Sequence, residues 1–269
     1  MNNRRLVTQL LSRRLASTFA LAALGVGSAM AGSVTFGQYF QLNGAQQQWS
    51  ITTSGGTTTV QAGGAVSFDL SGVSGLPFSG PENAIFTLNA TSSTSGNCST
   101  TCTGNDTFTQ QGYSGTFSFI DNGGGFAQGS NLLSGTFAVT GIPSLTGAQF
   151  SSSLGSSGAG FNASSAVGNL SQLVFTSAYL DFVGQTQETS SFSLSSLVPN
   201  FSVGGVTVVG TSSTAFPADG PFNASGSGTF SSNPGPSSVP EPASMGLIGG
   251  GLVALAFTAR KRRFAVAGR

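Results

Sequence analysis

The chain has 269 residues, nine Lys or Arg, eight Asp or Glu and no histidine, with a formal charge of +1. The missing histidine excludes Ser-His-Asp and Cys-His mechanisms, which need an imidazole to carry the proton. The length allows one domain or two small ones, and about 200 residues remain once both ends are set aside, enough to bury a core.

The N-terminus reads as a secretory signal. Arg4, Arg5, Arg13 and Arg14 form a basic head, Leu15 to Gly27 is mostly apolar, and Ser28-Ala29-Met30-Ala31 supplies an A-x-A cleavage site. Residues 1–31 are therefore expected to form a signal helix that is removed after Ala31. Ser12-Arg13-Arg14-Leu15 touches on a twin-arginine pattern. The Phe-Leu-Lys usual after such a pair is missing, which favours general secretion.

Charge is confined to the two ends of the chain. All nine basic residues lie at 4–14 or 260–269, and none occurs between Leu15 and Ala259. That interval holds all eight acids, Asp69, Glu82, Asp106, Asp121, Asp181, Glu188, Asp219 and Glu241. A product running from Gly32 to Ser238 carries seven of them and no base, a net charge of −7. Such a domain has nothing to neutralise phosphates, so nucleic acid is excluded as a partner. A Ser-Lys pair and a Walker loop fall as well, because the sole lysine, Lys261, sits beyond the apolar tail.

Residues 32–230 predict a single all-β domain. Apolar residues alternate in Val34-x-Phe36, Val66-x-Phe68-x-Leu70, Phe86-x-Leu88, Phe117-x-Phe119, Phe137-x-Val139, Phe192-x-Leu194 and Phe201-x-Val203. Period-2 alternation puts these side chains on one sheet face and Ser, Thr or Gly on the other. Turn signals at Asn43-Gly44, Gly55-Gly56, Gly63-Gly64, Asn122-Gly123 and Gly204-Gly205 separate the runs. Short strands at this spacing predict a β-sandwich or jelly-roll-like antiparallel domain. The tetrapeptide Ser-Gly-Thr-Phe occurs at 114–117, 134–137 and 227–230. Its spacing is too irregular for a solenoid, and it reads as similar strand starts in a Ser/Thr/Gly-rich chain.

Cys98 and Cys102 are the only cysteines. In an oxidising compartment their default is a short-loop disulfide. The spacing excludes a redox C-x-x-C, and two thiols without histidine leave too few ligands for zinc. No metal site and no cofactor are predicted. The surviving catalytic chemistry is a carboxylate pair, which a glycosidase needs about 5–10 Å apart. Seven isolated acids are candidates, and Asp121 and Asp219 precede glycines as turn residues do. The D-x-D-x-D and Gly-Gly-x-Gly-x-Asp calcium patterns are missing. Carbohydrate binding calls for exposed aromatic platforms. Trp49, Tyr39, Tyr113 and Tyr179 are the candidates, since their polar handles suit the surface and the 22 phenylalanines suit the core.

The last forty residues are the most specific part. Residues 231–238 read as a Pro/Ser/Gly linker, followed by Val239-Pro240-Glu241-Pro242. Ala243 to Ala259 is uncharged, and as a helix it spans roughly 26 Å, close to the hydrocarbon thickness of a bilayer. Pro240 and Pro242 cannot extend that helix backwards. Arg260, Lys261, Arg262 and Arg263 form a basic stop that stays in the cytoplasm with residues 264–269. These parts, in this order over about 239–263, resemble the PEP-CTERM sorting domain of Gram-negative bacteria. The resemblance implies an exosortase-type processing enzyme as partner and a transient inner-membrane anchor. It also implies removal of the tail near Pro240-Glu241-Pro242 and delivery to the cell surface or extracellular matrix. The expectation is a secreted, non-catalytic structural or adhesive protein that meets extracellular polysaccharide. The alternatives are a glycan- or calcium-binding adhesion module and a carboxylate-dependent glycan hydrolase.

Overall fold

The computed structural model describes residues 33–239, apart from 44–45, 77–79, 139–146, 166–171, 210–211 and 218–220. The signal helix expected over 1–31, its cleavage residues Ala29 and Ala31, the apolar helix expected over 243–259 and the basic stop lie outside the described residues. Among the described residues there is no α-helix, and none long and apolar enough to cross a membrane.

The strands in chain order begin with β1 (Val34–Gln41), β2 (Trp49–Ser54), β3 (Thr57–Asp69), β4 (Pro81–Ser92), β5 (Gly96–Cys98) and β6 (Thr107–Asp121). Then come β7 (Asn131–Phe137), β8 (Ala148–Ser153), β9 (Ala159–Ser164), β10 (Leu173–Thr176) and β11 (Leu180–Asp181). The last are β12 (Gln187–Val198), β13 (Val203–Val209), β14 (Ser212–Pro217), β15 (Phe222–Asn233) and β16 (Ser237–Ser238). Each of β1, β3, β4, β6, β8, β9, β12 and β15 pairs antiparallel with the next, and β15 returns to β1. The domain is all-β, but it is a closed eight-stranded barrel and not a sandwich or jelly roll. Alternation defines an inner and an outer face for each strand. It does not say whether the inner faces belong to two facing sheets or to one sheet closed on itself.

Some strands change partner along their length. The early part of β3 pairs with β2 and its end with β1. β6 pairs with β8 over its first half and with β7 over its second, and β10 adds to β7. The change in β6 falls at a bulge between Gln110 and Tyr113, where Gly112 takes the left-handed conformation (φ 76°). One extra residue reverses the face of every later side chain. Phe108 and Gln110 before the bulge, and Tyr113, Phe117 and Phe119 after it, therefore all point inward and are buried.

An eight-stranded barrel is just wide enough for side chains to fill. Here the filling is aromatic: Phe86 stacks on Phe119 at 4.7 Å and Phe119 on Phe68 at 4.4 Å. Trp49, Tyr39 and Tyr113 belong to the same core and are fully buried, where a surface or half-buried place is expected from their polar handles. Each ring brings more apolar area than its polar atom costs, provided that atom is accommodated. Tyr113 shows how. Its hydroxyl donates to Gln110 Oε1 (2.6 Å), and Gln110 Nε2 donates to Thr58 Oγ1 (3.1 Å) and the Thr94 carbonyl (2.6 Å). Burial pushes the Tyr39 and Tyr113 phenols far above their usual range.

The repeated tetrapeptide acquires a reason. In the β6–β7 ladder Phe117 pairs with Gly135 and Gly115 with Phe137, so the first two copies face each other in opposite directions. Gly135 also lies opposite Phe175 of β10. In the third copy Gly228 lies between Tyr39 of β1 and Phe192 of β12. A Cβ added at Gly135 would stand 2.3 Å from the Phe117 ring, and one at Gly228 would stand 2.6 Å from the Tyr39 ring. The glycine leaves room for a neighbour's ring, and the phenylalanine two places on supplies one. Gly135→Ala is therefore expected to destabilise the fold by about 1–3 kcal/mol through overpacking. Gly63→Ala, whose added Cβ meets nothing closer than 3.7 Å, is expected to be neutral or slightly stabilising. Urea titration of the two variants checks the contrast.

Candidate functional site

Candidate chemistry rests on the carboxylates, so their placement comes first. Five of the six described acids, Asp69, Glu82, Asp121, Asp181 and Glu188, lie at the barrel end where the chain enters at Val34 and leaves after Asn233. Asp106 lies at the opposite end, and Asp219 is outside the described residues.

Three of the acids tie up local backbone. Asp69 accepts the Ser71 N–H (2.8 Å) and hydroxyl (3.0 Å), and Asp181 accepts the Val183 N–H (2.9 Å), both two residues on, as Asx-turns do. Asp106 serves the disulfide loop. Cys98 and Cys102 are bonded, with their Cα atoms 5.2 Å apart, as the spacing predicts. Cys102 sits in the left-handed region (φ 59°). The Asp106 carboxylate accepts the Thr101 and Thr103 N–H groups, each at 3.1 Å, and the Thr100 hydroxyl at 2.5 Å. These bonds, that from Thr100 foremost, hold its carboxyl below the usual range.

The other three acids face inward, and the strand period explains why. Phe117, Phe119 and Asp121 are alternate residues of β6, and Glu188, Ser190, Phe192 and Leu194 are alternate residues of β12. The apolar alternation legible in the sequence, carried two or four places further, lands on a carboxylate. Glu82 likewise shares the face of Ala84 and Phe86. The turn reading of Asp121 is half of its role: Oδ2 accepts the Gly123 N–H at 3.1 Å, yet the side chain is only 2% exposed.

Glu188 is 1% exposed, and its Oε2 accepts the Phe175 N–H at 2.9 Å. It finishes the β10 edge that turns towards β12. Burial pushes its carboxyl up to about 7 from 4.5, the Phe175 bond opposing the shift. The folded chain thus keeps this proton to higher pH than the unfolded chain does. Its contribution is full below about pH 4.5 and drains away as pH rises through about 7, by about 3 kcal/mol in all.

Glu82 and Asp121 come together around Gly124. Glu82 Oε2 accepts the Gly125 N–H at 2.7 Å. A Cβ added at Gly124 would lie 1.9 Å from Glu82 Oε2 and 3.8 Å from Asp121 Oδ1, so the two oxygens are separated by no more than the sum of those distances. That bound makes them a close carboxylate pair, and both are already engaged by the loop, Asp121 by the Gly123 N–H and Glu82 by the Gly125 N–H.

The aromatic platform does not form. Trp49, Tyr39 and Tyr113 are in the core, and Tyr179 accepts the Ala127 N–H (3.1 Å) and donates to Ser130 Oγ (2.9 Å). The outer wall instead carries a groove of about 340 Å³ across β6, β8, β9 and β12, whose polar lining residues are Gln111, Gln149, Asn162, Ser164, Thr189 and Ser191. Gln111 Nε2 donates to Gln149 Oε1 (3.3 Å), and the Ser191 hydroxyl donates to Asn162 Oδ1 (2.6 Å). No sequence motif marked this groove. It exists because outward residues of four strands are amides or hydroxyls in matching register.

The exit of the chain completes the picture. Residues 231–233 continue β15, the Thr186 N–H donates to the Asn233 carbonyl (2.7 Å), and β16 pairs with β11. The Val239 N–H then donates to the Tyr179 carbonyl at 2.8 Å. The segment expected as a spacer is fastened to the barrel up to Val239, the first residue of the candidate motif. Residues 238–263 match the family of the PEP-CTERM protein-sorting motif. The chain carries a PEP-CTERM sorting signal. That signal marks a protein addressed to exosortase-mediated processing and export. No curated protein and no solved structure matches the chain significantly.

For Glu188→Gln, the loss of stability between pH 4.5 and 8 is expected to be shallower than in the parent by about 3 kcal/mol. Urea midpoints across that range measure it.

Proposed function

We propose that the chain is an exported, exosortase-processed surface or matrix protein whose barrel has a structural or adhesive role and no catalytic one. The PEP-CTERM signal at residues 238–263 carries this reading. The barrel supports it from the other side. Its interior is packed with rings, and both acids of the close carboxylate pair already accept loop N–H groups. Val239, Pro240, Glu241 and Pro242 serve as the motif that the processing enzyme reads. Arg260 to Arg263 hold the precursor at the inner membrane until cleavage.

A second reading, contact with extracellular polysaccharide, rests on the outer-wall groove. Gln149 and Asn162 present amides that exchange hydrogen bonds with sugar hydroxyls without the cost of burying a charge. This places glycan contact on amides where the sequence suggested aromatics.

Intact-mass measurement of exported material tests the leading reading. The mature form is expected to lack Phe257 to Arg263, and a mature form that keeps them overturns the processing claim. Replacing Pro240 and Glu241 together by alanine is expected to leave uncleaved precursor in the membrane fraction.

A further inference from the structure

Asp121 is the least explained charged group described in the barrel. It is 2% exposed, and its Oδ1 is buried with no hydrogen-bond partner among the described residues. A buried carboxylate oxygen left in that state is costly unless a counter-charge meets it. The protein supplies none, because no Lys, Arg or His occurs between Leu15 and Ala259. A cation from the medium can supply it.

The surroundings of Oδ1 are shaped for a small cation. Glu82 brings a second carboxylate to the same spot, across the side-chain space that Gly124 leaves open. The bound on the separation of the two oxygens lets both reach one calcium ion, whose oxygen ligands sit roughly 2.3–2.6 Å from the metal. Asp121 is fixed through its other oxygen, Oδ2, by the Gly123 N–H, and Glu82 Oε2 is held in place by the Gly125 N–H. The loop is itself tied down. The Asp121 N–H donates to the Ser130 carbonyl and the Gly129 N–H to the Asp121 carbonyl, each at 2.9 Å, and the Asn122 N–H donates to the Asn83 carbonyl at 2.9 Å.

We propose that Glu82 and Asp121, with the glycine loop 122–125, bind one calcium ion. The donors are hard oxygens, which select calcium or magnesium over softer metals. No third carboxylate, histidine or cysteine joins them among the described residues, so backbone carbonyls and water complete the shell. Such an irregular shell suits calcium better than magnesium, which demands near-ideal octahedral geometry. Two carboxylates place the affinity in the range of extracellular modules, a Kd of about 0.1–1 mM. This inference stands apart from the sorting signal and does not depend on it.

Calorimetric titration of the full chain with calcium chloride, after stripping with chelator, tests it. One site per chain is expected, weakened about tenfold or more by Asp121→Asn and by Glu82→Gln, and unchanged in Asp69→Asn at the same barrel end. Glu82 is only half-buried, so Glu82→Gln carries the test if Asp121→Asn does not fold. Terbium gives an independent readout, because Tyr179 stacks against Phe126 of the same loop at 4.2 Å. Terbium emission sensitised by tyrosine is expected to fall in Tyr179→Phe and to be displaced by calcium. Absence of saturable calcium binding, or binding that survives Glu82→Gln at full strength, overturns the proposal.

Discussion

A closed wall of eight strands encloses a fixed volume, and here that volume must hold aromatic rings. The wall yields where a ring arrives. At Gly135 and Gly228 the inward position is bare, and each lies between two cross-strand aromatics whose rings meet over it, Phe117 with Phe175 and Phe192 with Tyr39. Closure and ring packing are thus one condition. A side chain at these positions would have to displace a ring, and the rings are already in contact with one another across the barrel. The bulge at Gly112 belongs to the same logic, since without its change of face Tyr113, Phe117 and Phe119 would point outward.

The second governing fact is the missing positive charge. Most secreted domains settle their buried acids with Arg or Lys. This one meets its acids, buried or not, with backbone N–H groups: Phe175 for the buried Glu188, Gly123 for the buried Asp121, Gly125 for Glu82, Thr101 and Thr103 for Asp106. Amide donors stabilise a carboxylate but leave its charge uncancelled. The buried acids therefore respond to their surroundings, Glu188 by holding its proton and Asp121 by keeping an oxygen open.

Most of the alternating runs are strands, and Cys98 and Cys102 are bonded, because both depend on local spacing; Phe201 lies just ahead of β13, and Gly63-Gly64, which reads as a turn, sits inside β3. Closure was not legible, because it is fixed by which strand meets which over long separations, such as Val34 with Ser232. The Ser-Gly-Thr-Phe copies looked like chance in a biased composition. Their meaning lies in cross-strand partners that a linear reading does not show. Residue type suggests a surface or half-buried place for Trp49, Tyr39 and Tyr113, whereas inward register buries them fully. Asp121 and Glu188 were within reach. Carrying the period of Phe117-x-Phe119 forward reaches Asp121, and carrying that of Phe192-x-Leu194 back reaches Glu188. The sorting signal was fully legible, since it is read as sequence by another protein.

The fastening of the chain through β16 to Val239 bears on what export leaves behind. A precursor cut near Pro240 yields a molecule with almost no loose thread. Its last residues are already sewn to Leu180, Asp181 and the Tyr179 carbonyl. Trimming enzymes start from frayed ends, and this end is hydrogen-bonded up to Val239.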